Sequence, residues 1–473
     1  MRFLENGPNI PDDLLWDRDE GNVVFLCGAG ISMPSGLPSF WELTKYVIDK
    51  IGPSSDSDIA RAFAPWVDDS PESKQIPVAA RISFDQIFNL LIESIGKEAV
   101  DRHVFEKLSS ADPSKQSNEH EILVRLSSNA EGRPQIVTTN FDRLFDSALT
   151  EKSVQNFVPP MFPNLEHSGV NATGITYLHG RLPDNPSDQS SFVLSSSDFG
   201  RAYLSEGWAT SFIRNLLRRY TVVLVGYSAE DPPVKYLLQG LASSRLNVEA
   251  NLYAFDRGTE EEVRVKWKDR GVKTIAYTGV GGDHSAFWDS LSCWADRADS
   301  AIDWRKSVLE LAQSDPKMLK PHERGMVTHL VSSTVGAHEF SKFSPSPPAE
   351  WICVLDVHCR YAVPYKAENY GIALDNEDVD IEPLELYGLD DDPSRPEKGR
   401  DIISWFKEDV SIDSAQRLAG GRYPAFQMIT PRLSHLSNWI CKNIDSPVLA
   451  WWFARQSVIH ESLKTALTRE INR

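Results

Sequence analysis

Residues 22–40 read NVVFLCGAGISMPSGLPSF, and this stretch decides the fold. Residues 22–27 form a short run rich in β-branched and aromatic side chains, which is typical of a strand covered on both faces of a sheet. Glycines at positions 28 and 30 break the run, and the segment FWELTKYVIDKI over Phe40–Ile51 has the apolar spacing of a helix. A strand, a glycine turn and a helix in this order predict the start of a doubly wound, Rossmann-like α/β domain.

Five further apolar runs downstream predict the rest of a parallel sheet. They are Gln135–Thr138, Ile175–Leu178, Thr221–Val225, Leu252–Phe255 and Thr274–Tyr277. Small or polar residues follow each run. Because ligands bind at the carboxyl ends of parallel strands in such sheets, we expect these polar residues to converge on one crevice.

A chain of 473 residues exceeds the size of one ordinary core, so it predicts more than one domain. We assign the α/β domain to residues 1–296, with a helical insert at about 52–130 that we expect to cap the crevice. The α/β pattern stops there, and residues 297–473 predict a mostly helical C-terminal domain.

Three segments of the C-terminal domain carry their own expectations. The sequence WICVLDVHC at 351–359 has the composition of a strand, and residues 370–400 are acidic and rich in proline, as in a long surface loop. Residues 449–473 have a helical pattern that stops without a cap. We therefore expect the sequence to be a piece of a longer protein.

The net charge, the short apolar runs and the scattered cysteines each argue against one class of partner or location. The chain has 49 Lys and Arg against 67 Asp and Glu, a net charge of −18, so we expect no nucleic-acid partner. No apolar run approaches the roughly 20 residues of a spanning helix, and the polar, acidic N-terminus is unlike a secretory signal. The five cysteines are scattered and odd in number, as in reduced thiols. These features predict a cytoplasmic protein without a membrane partner.

The glycine turn after the first strand is a candidate phosphate site. Glycines at this place let the backbone approach a pyrophosphate, and exposed amides bind its charge. The common dinucleotide fingerprint G-x-G-x-x-G fails here, because Met33 stands at the third glycine position. A plain turn between strand and helix is the alternative interpretation.

Four segments in a fixed order resemble the sirtuin family. The string from Gly28 to Phe40 resembles the nucleotide-binding loop of that family. Thr138-Thr139-Asn140-Phe141-Asp142 resembles its T-x-N-x-D segment, Leu178-His179-Gly180 its catalytic His-Gly pair, and Gly226-Tyr227-Ser228 its G-x-S turn. The resemblance covers about residues 20–296 and leaves out the C-terminal third.

The resemblance implies that NAD is the substrate and that Asn140, His179 and Asp142 are catalytic. A carboxamide at Asn140 would orient a water or a ribose hydroxyl without adding charge, and His179 would take a proton near neutral pH. Asp142 would bond the nicotinamide amide, while Ser32 and the loop amides would hold phosphate. The implied cofactor-binding residues are Gly28, Ala29, Gly30, Ser32, Pro38, Phe40, Thr139, Gly226, Ser228 and Asp231.

Several of these residues also have plain structural interpretations. A single histidine after a strand is more often structural than catalytic, and Asp142 could open a helix whose N-terminus favours an acid. Asp231 precedes two prolines, a pattern that is equally typical of a helix cap. Asp198 and Tyr203 are further candidates for the crevice.

Departures from the family pattern point to one branch of it. No cysteine stands between Gly180 and Cys293, so the zinc ribbon of sirtuin deacylases is missing and we expect no metal. Trp41 replaces the usual Arg of the loop, and Thr139 replaces the usual Gln. These departures resemble the sirtuin-like domains of bacterial antiphage defence proteins, which hydrolyse NAD and so deplete the cell of it.

This branch implies an NAD hydrolase that releases nicotinamide and ADP-ribose. It also implies a homo-oligomer, a phage-protein trigger or a partner defence protein, and a sensing or oligomerising role for residues 297–473. Two alternatives stay open: an NAD-dependent protein deacylase or ADP-ribosyltransferase, and a non-catalytic sensor of NAD or ADP-ribose.

Overall fold

The computed structural model describes most of the chain in two compact units. One unit is Asp13–Ala298, and the other combines Met1–Asp12 with residues from Asp299 onward. The described residues are 1–68, 81–109, 118–149, 154–167, 169–184, 192–229, 231, 234–238, 251–268, 270–279, 283–355, 431–443, 445–446 and 448.

A seven-stranded parallel sheet forms the centre of the first unit. Its strands are β1 (Val23–Cys27), β2 (Gln135–Thr138), β3 (Asn156–Phe157), β4 (Gly174–Tyr177), β5 (Thr221–Val225), β6 (Leu252–Arg257) and β7 (Lys273–Tyr277). Their order across the sheet is β3-β4-β2-β1-β5-β6-β7, and every pair of neighbours is parallel. The chain builds outward from β1 in both directions, which confirms the doubly wound, Rossmann-like α/β class.

The six predicted strands are present within one or two residues of their expected ends. Strands β1 and β5 are buried at every residue, which explains their unbroken apolar sequences. The strand β3 was not predicted. It has two residues at the sheet edge, too few to leave a pattern in the sequence.

Helices surround this sheet. They are Asp12–Asp19, Phe40–Ile51, Asp58–Val67, Phe84–Ile95, Lys97–Ser109, Asn118–Ser127, Leu144–Ala148, Ser196–Gly200, Trp208–Leu217, Glu260–Lys266 and Ser285–Asp299. The helix after β1 begins where predicted, because Ser39 and Glu42 form a capping box: the Ser39 amide donates to Glu42 Oε2 at 2.7 Å and the Glu42 amide donates to Ser39 Oγ at 3.2 Å. This cap fixes the direction in which the loop enters the helix.

The second unit is helical over its described residues. Its helices are Ala301–Leu311, Pro321–Ser332, Thr334–Lys342, Trp351–Leu355 and Pro431–Lys442. None of the helices in the described ranges is long and apolar enough to cross a membrane.

The strand predicted at 351–359 is wrong where the structure describes it, because Trp351–Leu355 is a helix. All five residues are buried, and the Trp351 indole donates to the carbonyl of Ala312 at 2.8 Å. A short run that is apolar throughout has no period, so packing alone decides its structure. Residues 356–359, the loop predicted at 370–400 and the helix predicted at 449–473 lie outside the described residues.

Candidate active site

A cavity of about 720 Å³ opens at the carboxyl edge of the sheet. Its walls come from the loops that follow β1, β2, β4, β5, β6 and β7, together with insert residues such as Leu108. Of the residues predicted as catalytic or cofactor-binding, all but Gly28 line this cavity; they are Ala29, Gly30, Ser32, Pro38, Phe40, Thr139, Asn140, Asp142, His179, Gly226, Ser228 and Asp231. The four segments that resemble the sirtuin motifs therefore meet in one place.

The loops after β1 and β5 interlock through three glycines. The Gly28 amide donates to Val225 O at 2.8 Å, and the Gly30 amide donates to Gly226 O at 3.0 Å. A Cβ at Gly28 would lie 2.6 Å from the Tyr227 ring, and one at Gly30 would lie 2.9 Å from the Gly226 backbone. Gly28 thus lies behind the cavity wall, and its lack of a side chain serves the contact between the loops.

The interlock changes the expectation of a phosphate cradle. Besides the two glycine amides, the Ile31 amide donates to Gly28 O at 3.2 Å and the Ser32 amide donates to Ala29 O at 3.0 Å. These four amides are occupied by the loop itself. Phosphate binding by this loop stays a prediction, and in this structure it would depend on other groups of the loop.

The Ser32 hydroxyl is the centre of a buried polar network. It donates to Asp142 Oδ2 at 2.8 Å, accepts from Asn140 Nδ2 at 3.0 Å and lies 3.3 Å from His120 Nε2. The Asn140 carboxamide also donates to Gly28 O at 3.1 Å. Because two acceptors hold its Nδ2, the orientation of the Asn140 amide is fixed by the loop after β1.

His120 was not among the predicted site residues. Burial lowers its pKa to about 4, so its imidazole is neutral at pH 7. The single proton of Ser32 goes to Asp142, so a favourable contact needs His120 to donate from Nε2. Burial also raises the pKa of Asp142, while bonds from the Leu144 amide and Ser32 oppose this. The Leu144 bond, at 3.0 Å, matches the alternative interpretation of Asp142 at a helix start.

His179 is buried, and its ring lies in an aromatic enclosure. Its Nε2 is 2.7 Å from the Tyr203 hydroxyl, and Phe199 packs against the ring edge at 5.2 Å between centroids. Burial lowers the pKa of His179 to about 3, so the ring is neutral at pH 7. Tyr203, which was predicted for the crevice, does not line the cavity; it is buried and orients the imidazole.

Other predicted residues have local structural partners. Asp231 accepts from the Ser228 amide at 2.6 Å, and its carbonyl accepts from the Lys235 amide at 3.1 Å as at the start of a helix, while Ser228 and Asp231 both line the cavity. Asp198 pairs with Lys97 at 3.2 Å and Arg201 at 2.7 Å and does not line the cavity. Asp198 is therefore not among the residues that line the crevice, for which it was predicted.

Tyr227 is a further site residue that the sequence reasoning did not single out. Its hydroxyl donates to Cys27 O at 3.0 Å and lies 2.7 Å from Thr139 Oγ1, so it ties the ends of β1, β2 and β5 together. The sequence did contain a signal for this role: Tyr227 stands inside the G-x-S segment, and a tyrosine hydroxyl that is buried there needs a hydrogen-bond partner.

The far end of the cavity is formed by β6 and β7. Asp256, Arg257, Lys266, Tyr277 and His284 line it, and none of them was predicted as a site residue. The signal in the sequence was an acidic residue directly after a predicted strand. Within the described ranges, no group of three His, Cys, Asp or Glu side chains is arranged to hold a metal ion.

Comparison with known proteins gives two matches. Residues 134–275 match the family model of the SIR2-like domain. An uncharacterized protein, y4cA of Sinorhizobium fredii (strain NBRC 101917 / NGR234), is 31% identical over 336 residues, which is 67% of this chain and 26% of that protein. The chain therefore spans about a quarter of the length of that relative.

Proposed function

Since this chain contains a Sir2-type domain, we propose that it hydrolyses NAD at the bond between nicotinamide and ribose. Members of the family act on NAD, and the products here would be nicotinamide and ADP-ribose. One observation carries the proposal. The Asn140 carboxamide and the His179 imidazole lie on neighbouring loops and line one cavity. The protein holds one polar atom of each side chain, Nδ2 of Asn140 and Nε2 of His179, in hydrogen bonds.

The hydrogen bonds leave one acceptor on each of these side chains for a ligand. Asn140 uses Nδ2 towards Gly28 and Ser32, and His179 uses Nε2 towards Tyr203, so Asn140 Oδ1 and His179 Nδ1 have no partner among the described residues. When Nε2–H donates to the Tyr203 oxygen, the Nδ1 lone pair is free to take a proton.

The reaction that fits these groups is direct displacement by water. The C1′–N1 bond breaks with its electron pair going to nicotinamide, and a water oxygen bonds to C1′. Asn140 Oδ1 would accept a hydrogen bond from this water and His179 Nδ1 would take its proton, which is then released to solvent. The low pKa of His179 keeps the base unprotonated in the resting protein.

The test is nicotinamide release from NAD by the purified full chain, alone and with lysate of infected cells, followed by mass detection of both products. We expect His179→Ala and Asn140→Ala to reduce the rate at least 100-fold, as for loss of a general base or its orienting group. The control is His167→Ala, because His167 is exposed and does not line the cavity. Turnover of both site variants at the parent rate, with thermal unfolding unchanged, would contradict the assignment.

We also propose that this activity serves antiphage defence. The support is the resemblance to that branch, in which the cysteine pairs of a zinc ribbon are missing after Gly180. In cells that carry the gene, NAD should fall after phage infection, and it should stay constant with His179→Ala. A fall of equal size in both strains would refute this role.

Residues 297–473 are proposed to sense a trigger or to form a homo-oligomer, with a phage protein or a partner defence protein as the trigger. Light scattering of the full chain before and after addition of infected-cell lysate tests this. A monomer in both states whose nicotinamide release is equal with and without lysate would contradict both roles.

A further inference from the structure

The positive charge of the cavity lies at the end formed by the residues at and after β6 and β7. Among the described residues that line the cavity, the Lys and Arg are Arg257 and Lys266, while the carboxylates Asp142 and Asp231 lie elsewhere, on the loops after β2 and β5. Because Lys266 is paired with Asp256 at 3.5 Å, the unbalanced positive charge at this end is that of Arg257, which forms a local site for an anion in a chain with a net charge of −18.

The carboxylate at this end, Asp256, is fully engaged with the protein. Its Oδ2 accepts from the Trp267 indole at 2.9 Å, and its Oδ1 accepts from the Arg257 amide at 2.7 Å and from Lys266 Nζ at 3.5 Å. An acid after a strand can bond the ribose hydroxyls of a dinucleotide. Here both oxygens already accept bonds from the protein, which weakens Asp256 as an acceptor for ribose hydroxyls.

Arg257, by contrast, has an unpaired guanidinium. Within the described ranges no carboxylate lies within salt-bridge distance of it, and the residue is exposed at the cavity wall. Its charge reaches His284, whose pKa is lowered first by burial and then by Arg257. The imidazole Nδ1 of His284 lies 2.9 Å from the Tyr277 hydroxyl.

An aromatic wall stands beside these cations. Tyr277 stacks on Phe287 with ring centroids 4.5 Å apart, and Phe287 packs at 4.9 Å against Trp288, which also lines the cavity. A flat ring with an attached phosphate would meet apolar and cationic surface together. This is the chemistry of a phosphorylated adenosine.

We propose that this end of the cavity binds an adenosine 2′-phosphate, so that the protein binds NADP more tightly than NAD. Dinucleotide sites select NAD by an acid that accepts from the 2′-hydroxyl and NADP by an arginine near the 2′-phosphate, and here the acid is occupied while the arginine is available. The inference rests on the proposed function, since it assumes that the cavity holds a nicotinamide dinucleotide.

Calorimetric titration of the full chain with 2′-phospho-ADP-ribose and with ADP-ribose tests the inference without turnover, because neither ligand has the bond to nicotinamide. We expect the phosphorylated ligand to bind roughly tenfold tighter or more, as for charged hydrogen bonds from arginine to a phosphate. In Arg257→Gln this preference should fall to about twofold or less, with ADP-ribose affinity nearly unchanged.

The matched control is Arg264→Gln. Arg264 is exposed, pairs with Glu261 at 2.7 Å and does not line the cavity, so the preference should persist in this variant. Equal binding of the two ligands by the parent chain would overturn the inference and leave the NAD proposal standing. A preference that survives Arg257→Gln would overturn the role of Arg257, and failure of both ligands to bind would contradict the proposed function itself.

Discussion

The interlock of the loops after β1 and β5 makes a quantitative prediction, for which Gly226 and Gly36 are a matched pair. Both have left-handed backbone angles, with φ of 74° and 84°. A Cβ at Gly226 would lie 2.8 Å from Ile31 N and 2.9 Å from Gly28 O, whereas nothing lies within 4 Å of a Cβ at Gly36. Alanine at the two positions therefore shares the backbone cost and differs in crowding.

The expected magnitudes follow from these two terms. Alanine in the left-handed region costs about 1–2 kcal/mol, and forcing an added methyl into packed atoms costs about 1–3 kcal/mol more. Gly36→Ala should lower the free energy of unfolding by the first amount only. Gly226→Ala should lower it by roughly 2–5 kcal/mol, because Ile31 N and Gly28 O are backbone atoms that cannot rotate away.

Thermal unfolding of the full chain measures the difference, at roughly 2–4 °C per kcal/mol for a unit of this size. Amide hydrogen exchange adds a local measurement, because the amides of Gly28 and Gly30 are bonded to Val225 O and Gly226 O. These amides should exchange faster in Gly226→Ala and at the parent rate in Gly36→Ala. Equal melting shifts and equal exchange in the two variants would refute the interlock.

Three other predictions concern buried polar groups. Tyr203→Phe should reduce nicotinamide release about tenfold with little change in KM, because His179 loses the bond that orients its ring. The folded pKa of His120 is about 4 against an ordinary 6.5, so the unfolded chain takes up the proton first. Between pH 6.5 and about 4, His120 should therefore lower the stability measured by urea unfolding by up to about 1.4 kcal/mol per pH unit as the pH falls. His179 adds to this slope, and His120→Asn should remove the share of His120. Lys97→Met should lower the free energy of unfolding by roughly 1–3 kcal/mol, because it leaves Asp101 and Asp198 without their shared cation. Adding Asp101→Asn should recover part of this loss. The control Lys45→Met, which removes an exposed ion pair, should cost under about 0.5 kcal/mol.

The sheet was predictable because its signals are local. Residues 135–138 and 221–225 have the predicted bounds, because polar residues follow the first run and a glycine follows the second where the strands end. The helix Phe40–Ile51 is bounded by the cap at Ser39 and by Gly52, which has a left-handed φ of 60°. These ends follow from the chemistry of single residues, so the sequence is enough to locate them.

The site was only partly predictable, because its contacts join residues far apart in the chain. Ser32 and His120 are 88 positions apart, and their contact depends on how an insert helix packs against the sheet. A signal did exist: His120 shares a helix face with Leu123 and Ser127, three and seven positions on, and all three are buried. A histidine on a buried face needs a polar partner, but the sequence does not identify the partner.

The two ends of the cavity differ in how their polar groups are used, and this difference assigns a task to each. At the end near β2 and β4, the Ser32 hydroxyl, Asp142 and the Asn140 Nδ2 are bonded to one another, so the geometry of that end is fixed. Such an environment favours orienting a neutral water at a reacting carbon. At the end near β6 and β7, Arg257 keeps an uncompensated charge that a bound anion would neutralise. A phosphate held there would be bound equally in the ground state and in the transition state, so variants at Arg257 should raise KM more than they lower kcat.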